Sequence, residues 1–139
     1  MTINQQQDDI IEEFDLFSDW MDKYENIIEI GKDLPLIDAK YKVPENLIKG
    51  CQSNVWLHPE FKEGKVWFTA DSDAIITKGL ISMMIRVLSG HSPEEIVDSE
   101  LYFIDTIGLQ NHLSPNRSNG LLAMLKQMKM YALAFKSQA

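Results

Sequence analysis

A short segment of β character lies between long segments of helical character, and this arrangement constrains the fold more than any other feature of the chain. Residues 53–70 contain the runs SNVWLHPEF and KVWFTA, which are rich in β-branched and aromatic side chains. Lys62-Glu63-Gly64 separates the runs and predicts a glycine-containing hairpin turn. Because Pro59 cannot donate a hydrogen bond within a sheet, the first strand is expected to be short or to lie at an edge.

Helical spacing marks the chain before this hairpin. Apolar residues recur there at intervals of three and four in two segments, and Gly31 is a stop signal for the second. A loop follows from Leu34-Pro35, and Pro44 can open a short helical turn. The apolar positions are Ile10, Phe14 and Phe17 in the first segment and Trp20, Tyr24, Ile27 and Ile28 in the second.

Three helix-start signals follow the hairpin. Asp71-Ser72-Asp73 precedes the run AIITKGLISMMIRVL and predicts an N-capped helix that ends near Gly90. Ser92-Pro93-Glu94-Glu95 has the form of a capping box with proline at the first helical position. Ser114-Pro115 predicts the start of a long last helix over residues 116–136. The buried stripe expected on that helix comprises Leu121, Leu122, Leu125, Met128 and Leu133.

Together these elements predict one α+β domain, residues 1–139, with helices packed against a small antiparallel sheet. Trp56 and Trp67 are expected in the core of the sheet. Gly79 lies inside a predicted helix, where glycine costs about 1 kcal/mol relative to alanine. A close packing contact with another element is therefore expected at Gly79.

Composition and charge exclude several classes of function. The net charge of −8 argues against a nucleic-acid partner, since binding phosphates needs a basic face. The negative charge either keeps the protein soluble or favours binding to a basic patch on a partner protein. The longest apolar stretch, residues 74–88, is interrupted by Lys78 and Arg86 and is not expected to span a membrane. The N-terminal run MTINQQQDDIIEEF shows no signal-peptide pattern, and a single cysteine forms no internal disulfide, so a cytoplasmic location is expected.

That single cysteine, Cys51, raises the question of what an unpaired thiol does. One interpretation is a buried small side chain, which is what most lone cysteines are. However, Cys51 is flanked by Gly50 and by the polar pair Gln52-Ser53, at the junction of a loop and a strand. Connecting segments carry chemistry more often than core stripes do, and a glycine lets another backbone approach closely.

The reaction classes open to one thiol are few. A metal or iron–sulfur site needs several thiolates or a Cys/His set, and the three histidines are scattered, so no metal site is predicted. A dithiol redox cycle needs a second cysteine. A hydrolase using Cys51 with His112 remains open, although no sequence feature supports it. Taking up a group such as a persulfide sulfur and passing it on is the natural remaining role.

Two sequence blocks are specific in this order and at this separation: GCQSNVW at 50–56 and HLSPNRSNGLLAM at 112–124. The segments IIEIGKDLP, ADSDAIITKGLI and SPEEIV add to them, with Trp20 and Lys23-Tyr24 near the start. On these residues the chain resembles, nearly end to end, the SufE/CsdE family of sulfur-acceptor proteins, which work with cysteine desulfurases in iron–sulfur cluster assembly.

The resemblance implies a SufE/IscU-like fold, with helices on one face of a small antiparallel sheet and a long C-terminal helix. It implies that Cys51 accepts the persulfide sulfur of a SufS/CsdA-like desulfurase, passes it to an iron–sulfur scaffold and thereby activates the desulfurase. The chain is then not a stand-alone enzyme and needs no cofactor, since pyridoxal phosphate belongs to the partner. We expect a partly hidden thiol that is not strongly acidic, because burial against apolar neighbours raises a thiol's pKa.

Further residues match the family blocks, each with a structural alternative. Asp71-Ser72-Asp73 lies near the cysteine loop in the family but is also explained as a helix cap. Arg117 either contacts the partner, holds the loop or packs along its own helix. For His112 a structural role is favoured over proton transfer. Gln52 and Ser53 are expected to hydrogen-bond the Cys51 loop in its resting position.

Three other functions compete with the sulfur-acceptor interpretation. The chain could activate the desulfurase allosterically without carrying sulfur, which replacing Cys51 by serine would reveal. A cluster scaffold is disfavoured because it needs three thiolates, and a Cys51–His112 hydrolase lacks an identifiable oxyanion hole. The sequence leaves open which desulfurase is the partner, and both a monomer and a weak homodimer fit it.

Overall fold

The computed structural model describes residues 1–138 and contains one antiparallel hairpin with helices before and after it. Strand β1 spans Val55–Lys62 and strand β2 spans Lys65–Ser72. This is the predicted α+β architecture, with a long C-terminal helix. The helices are α1 Ile3–Phe14, α2 Trp20–Gly31, α3 Ile75–Leu88, α4 Pro93–Asp98, α5 Phe103–Thr106, α6 Leu109–His112 and α7 Pro115–Lys136.

The hairpin has the predicted position and turn. Glu63 and Gly64 both have positive φ angles, 55° and 77°, which is the geometry of a tight two-residue turn that follows the strand twist. Pro59 lies opposite Phe68, and β1 is eight residues long. The prediction of a strand that is short or at an edge is confirmed in its second alternative, because the sheet has two strands and both are edge strands.

One face of the hairpin is buried and the other is not. The buried face carries apolar side chains from alternate positions of both strands, as a half-buried sheet requires. Trp56 and Trp67 lie on the opposite face, and Trp67 is 42% exposed, so their predicted place in the core is wrong. The Lys42 ammonium instead lies 4.6 Å from the centre of the Trp56 ring. The buried positions are Val55, Leu57, Val66, Phe68 and Ala70.

Helix α3 is the centre of the molecule. It is apolar on nearly all sides, which is the pattern of a helix surrounded by other elements, and eleven of its 14 residues are buried. Gly79 in α3 meets the backbone of Ile27 in α2, where any Cβ would overlap the Ile27 carbonyl oxygen. Gly31 lies beside Gly79 at the same crossing, and the predicted close contact at Gly79 is confirmed.

Most predicted helix ends are correct. Helix α2 ends at Gly31, a 3₁₀ turn spans Pro44–Asn46, and Ser92 and Glu95 form the predicted capping box of α4. The Ser114 side chain caps α7 by accepting from Arg117 N. Phe17 lies beyond the end of α1, because the chain turns before Asp19 caps α2.

Two predictions about long helices are wrong in detail. The N-cap of α3 is Ala74, without a side-chain cap, because Asp73 and Ser72 are engaged with Asn54. In α7, Leu122 and Leu133 are 48% and 56% exposed. The buried face of α7 follows smaller and more flexible residues, namely Gly120, Leu121, Met124, Met128 and Ala132.

Candidate functional site: the Cys51 loop and its cavity

Cys51 lies at the tip of a short loop whose two ends are paired. The Ile48 amide donates to the Val55 carbonyl over 2.9 Å, and Leu47 bridges Trp56 in antiparallel fashion. We call residues 49–54 between these pairs the Cys51 loop. Its base is thus fixed by backbone hydrogen bonds.

The end of the Cys51 loop is fastened by the segment before α3. The Asn54 amide donates to Asp73 Oδ1 over 3.1 Å, and Ser72 Oγ donates to the Asn54 carbonyl over 2.8 Å. Both backbone groups of Asn54 are therefore satisfied by side chains. Asp73, expected near the cysteine loop on family grounds, does hold this loop, and it does not cap α3.

The tip of the Cys51 loop rests on the first turns of α7. Gly50 has φ +94°, a conformation that suits glycine, and a Cβ there would lie 3.3 Å from the Ala123 Cβ. Cys51 Sγ donates a weak hydrogen bond to the Gly120 carbonyl, with 3.7 Å between sulfur and oxygen. Gly50 thus lets the loop lie close to α7, whereas a Cβ on Gly120 would be 3.5 Å from Cys51 Sγ.

One side-chain hydrogen bond joins the Cys51 loop to the start of α7. Asn116 Nδ2 donates to Gln52 Oε1 over 3.0 Å, and both residues are exposed. The predicted role of Gln52 in holding the resting loop agrees with this contact. Ser53 is half-buried beside the cavity, and within residues 1–138 its hydroxyl makes no hydrogen bond to the loop.

The Cys51 thiol is half-buried, and burial raises its pKa above the ordinary value. Burial disfavours the charged thiolate, so the resting thiol is mostly protonated at neutral pH. This agrees with the expectation of a partly hidden thiol that is not strongly acidic.

A cavity of about 330 Å³ opens beside Cys51, between the Cys51 loop, α3 and the start of α7. Thr77 and Leu80, three residues apart in α3, present one face to it. The volume exceeds by far the roughly 30 Å³ that one water occupies. The lining residues are Cys51, Gln52, Ser53, Thr77, Leu80, Ser114, Asn116, Arg117, Gly120 and Met124.

Arg117 lines this cavity, whereas His112 does not. The Arg117 guanidinium lies 5.9 Å from the centre of the Tyr24 ring, which joins α7 to α2. His112 stacks on Trp20 with ring centres 4.4 Å apart, and its Nδ1 lies 2.9 Å from the Gly108 carbonyl. These contacts give His112 the favoured structural role, so a Cys51–His112 catalytic pair has no geometric support.

The sequence analysis did not assign four residues to the site that contact Cys51, its loop or Arg117, or that line the cavity: Tyr24, Thr77, Asn116 and Gly120. Gly120 and Asn116 lie within the block that identified the family, and two exposed polar residues after a Ser-Pro start could have drawn attention to Asn116. Thr77 gave no signal, because one threonine in an apolar run resembles any tolerated helix residue.

Two searches of residues 1–138 complete the description. No helix there combines the length and the apolar character that crossing a membrane requires. No three or more His, Cys, Asp or Glu side chains of this part of the chain are grouped so that they could hold a metal ion.

Comparisons with known proteins place this fold and site in one class. The model of the SufE family, described as an Fe-S metabolism associated domain, matches residues 8–132. An uncharacterized SufE-like protein of Synechocystis sp. is 37% identical over 127 residues, which cover 91% of this chain and 80% of the relative. The SufE-like protein 1, chloroplastic/mitochondrial, of Arabidopsis thaliana is 44% identical over 112 residues, which are 80% of this chain and 30% of that protein.

The fold also matches a solved structure. The solution structure of a hypothetical protein from Thermus thermophilus superposes with a TM-score of 0.76 at 21% identity, covering 93% of this chain and 94% of the other. At this identity the match shows the fold alone. The match to the family model and the curated relatives shows that the chain belongs to the SufE family, whose domain is associated with iron–sulfur metabolism.

Proposed function

We propose that the chain is a sulfur acceptor: Cys51 takes the persulfide sulfur of a cysteine desulfurase and passes it to iron–sulfur cluster assembly. The observation that carries this proposal is a single half-buried thiol at a loop tip, beside a cavity with room for further atoms. Two weak contacts hold that tip, the Gln52–Asn116 hydrogen bond and the Cys51–Gly120 contact. Membership in the SufE family supports the proposal.

The proposed transfer is a thiol–persulfide exchange. The Cys51 thiolate attacks the terminal sulfur of the desulfurase persulfide, a new sulfur–sulfur bond forms at Sγ, and the donor's sulfur–sulfur bond breaks. The donor cysteine leaves as a thiolate and takes up the proton that Cys51 gave up. The sulfur moves with its oxidation state unchanged, so no external oxidant or reductant is needed.

The resting structure is suited to protection between transfers. The raised pKa of Cys51 keeps the thiolate fraction low, which slows oxidation and unwanted exchange. On docking, the tip would leave Gly120 and enter the partner's active site while its base stays paired at Ile48 and Val55. The partner then supplies the environment that lowers the pKa.

The chain's own part in this scheme needs no cofactor, and pyridoxal phosphate would remain on the desulfurase. The chain acts as an accessory protein whose turnover depends on its partners, not as a stand-alone enzyme. Because the Arabidopsis relative is described as chloroplastic/mitochondrial, the cytoplasmic location stays a prediction. The downstream scaffold and a weak homodimer are also predictions.

The test is the turnover of a cysteine desulfurase, followed as alanine formed from cysteine, with the wild-type chain and with Cys51→Ser. A sulfur acceptor accelerates turnover only when Cys51 is present. Equal acceleration by Cys51→Ser would overturn the proposal in favour of an allosteric activator that carries no sulfur. Asn119→Ala, an exposed change in the first turns of α7, serves as the matched control.

A further inference from the structure

The Thr77 side chain lines the cavity that also borders the proposed reactive thiol, and no described hydrogen bond uses its hydroxyl. Thr77 is in the first turn of α3, is 7% exposed and lines the same cavity as Cys51. Within residues 1–138, the side-chain hydrogen bonds that link the walls of this cavity join Cys51 to Gly120 and Gln52 to Asn116, and none uses Thr77 Oγ1. Because no described protein atom bonds to this hydroxyl and Thr77 borders the cavity, the hydroxyl is free to bind a group that enters the cavity.

We propose that the Thr77 hydroxyl donates a hydrogen bond to the terminal sulfur of the Cys51 persulfide and so holds the carried sulfur inside the cavity. The inference rests on the proposed function and adds to it a residue that binds the cargo between the two transfers. Thr77 then touches the transferred atom itself.

The hydrogen-bond donors and acceptors around Cys51 determine which wall of the cavity the terminal sulfur of the persulfide faces. The Gly120 carbonyl beside Sγ is an acceptor and repels an anionic terminal sulfur, which must turn towards donors. Asn116 Nδ2 is already bound to Gln52, and Ser114 Oγ lies beside Arg117 N as its cap acceptor. Ser53 also lines the cavity with a hydroxyl free of described hydrogen bonds, but it is only half-buried. Thr77 is the most buried polar residue of the lining, on the α3 wall of the cavity.

Charge and space are consistent with this ligand. Among the lining residues of α3, α7 and the Cys51 loop, Arg117 is the one charged side chain, and its positive charge favours an anion. A cavity of about 330 Å³ accepts one additional sulfur atom without movement of α3. A buried hydrogen bond to a charged group is stronger than one between neutral groups.

The test uses the full chain loaded without a desulfurase. Inorganic hydrogen disulfide, HSS⁻, reacts with the Cys51 thiolate to give the Cys51 persulfide anion and HS⁻, and the chain has no second cysteine to load. The absorbance of the persulfide anion is then titrated against pH. No desulfurase takes part in this titration, so it does not depend on whether a desulfurase transfers sulfur to Cys51. The sulfur-acceptor proposal and the Thr77 proposal are therefore tested independently.

Thr77→Val removes the hydroxyl and keeps the shape of the side chain. We expect it to lower the acid dissociation constant of the persulfide about tenfold, since one hydrogen bond to the anion is lost. Thr77→Ser should retain the wild-type constant, and Thr77→Ala, a second variant without the hydroxyl, should behave like Thr77→Val. Thr69→Val on strand β2, outside the cavity lining, is the control for a general effect of removing a hydroxyl.

Two results would overturn the inference. One is a persulfide titration of Thr77→Val that coincides with that of the wild type. The other is a shift in Thr77→Ser equal to that in Thr77→Val, because the side chain's shape, not its hydroxyl, would then be responsible.

Discussion

The chain uses glycine at two close contacts that differ in kind. At the crossing of α2 and α3, Gly79 places backbone against backbone, and Gly31 lies beside it with room for no further atom. At the contact of the Cys51 loop with α7, a Cβ on Gly120 would lie 3.5 Å from Cys51 Sγ, which is ordinary van der Waals contact. The contact between α2 and α3 leaves no space between the two backbones, whereas the contact between the Cys51 loop and α7 borders a cavity.

In the proposed transfer, the helix crossing stays fixed while the tip of the Cys51 loop moves. Tight interior packing transmits any added volume as strain, so the helix crossing supports the fold. The Cys51 loop is held at its base by backbone hydrogen bonds and at its tip by an exposed side-chain hydrogen bond and a weak sulfur contact. Such a tip can leave and return at low cost in free energy.

The largest expected effect comes from adding a methyl group at the helix crossing. Gly79→Ala should lower the free energy of unfolding by about 3 kcal/mol, because its Cβ overlaps the Ile27 carbonyl and the overpacking exceeds the gain in helix propensity. Gly120→Ala, also within a helix, is the matched control and should change stability by less than about 1 kcal/mol. Urea unfolding measures both, and equal losses would remove the distinction between the two contacts.

A smaller effect is expected at the loop glycine. Gly50→Ala should cost about 1–2 kcal/mol of stability, since φ is +94° and Ala123 stands 3.3 Å from the new Cβ. Because that contact pushes the tip from α7, alkylation of Cys51 by iodoacetamide should become faster. Gly64→Ala has similar backbone strain, with φ +77°, but nothing within 4 Å of its Cβ. It should cost stability without changing alkylation; faster alkylation in both variants would contradict the account.

The Gln52–Asn116 hydrogen bond should matter more for the loop than for the fold. Asn116→Ala removes one exposed hydrogen bond, worth about 0.5–1 kcal/mol, so alkylation of Cys51 should rise about two- to fivefold while stability hardly changes. Asn119→Ala, in the same helix, should leave the rate of alkylation at the wild-type value. An unchanged rate in Asn116→Ala would show that this bond does not hold the loop.

The pH dependence of Cys51 provides the finest test. Burial raises the pKa of the thiol, so the folded chain should be alkylated more slowly than an unfolded one below that pKa, with the inflection displaced to higher pH. In a urea concentration that unfolds the chain, the rate of alkylation should equal that of the unfolded reference at every pH. Alkylation of the folded chain faster than that of the unfolded one at neutral pH would show instead an acidic, preactivated thiol.

Local signals in the sequence predicted local structure well. The hairpin turn at Glu63-Gly64 and the helix starts at Ser92 and Ser114 rest on backbone preferences that neighbouring residues determine, and all three are present. Gly79 was predicted to make a close contact because its cost within a helix needs an explanation.

Predictions that depended on tertiary packing were less successful. Trp67 was assigned to the core for its size, yet the strand alternation turns it outward, where it packs over Gly90. Helix α7 carries apolar residues on several sides, so the sequence does not show which side meets α3 and α4, and Leu122 and Leu133 proved exposed. For Asp73 the sequence predicted either a helix cap or, from the family resemblance, a place near the cysteine loop. Its hydrogen bond with Asn54, distant in sequence, agrees with the second.

In the candidate site, too, local features were predicted from the sequence and features that depend on tertiary packing were not. Cys51 and its neighbours were found from the block around the single cysteine and from the family resemblance. The cavity was not predicted, since α3 contributes Thr77 and α7 contributes Asn116 and Gly120 only once the chain has folded.

Intact-protein mass spectrometry shows whether Cys51 carries sulfur. The chain is incubated with a cysteine desulfurase and cysteine without reductant, and its mass is measured beside that of Cys51→Ser. The account predicts a gain of one sulfur atom on the wild-type chain, localised to Cys51 and absent from the variant. An unchanged mass while the desulfurase is accelerated would contradict it.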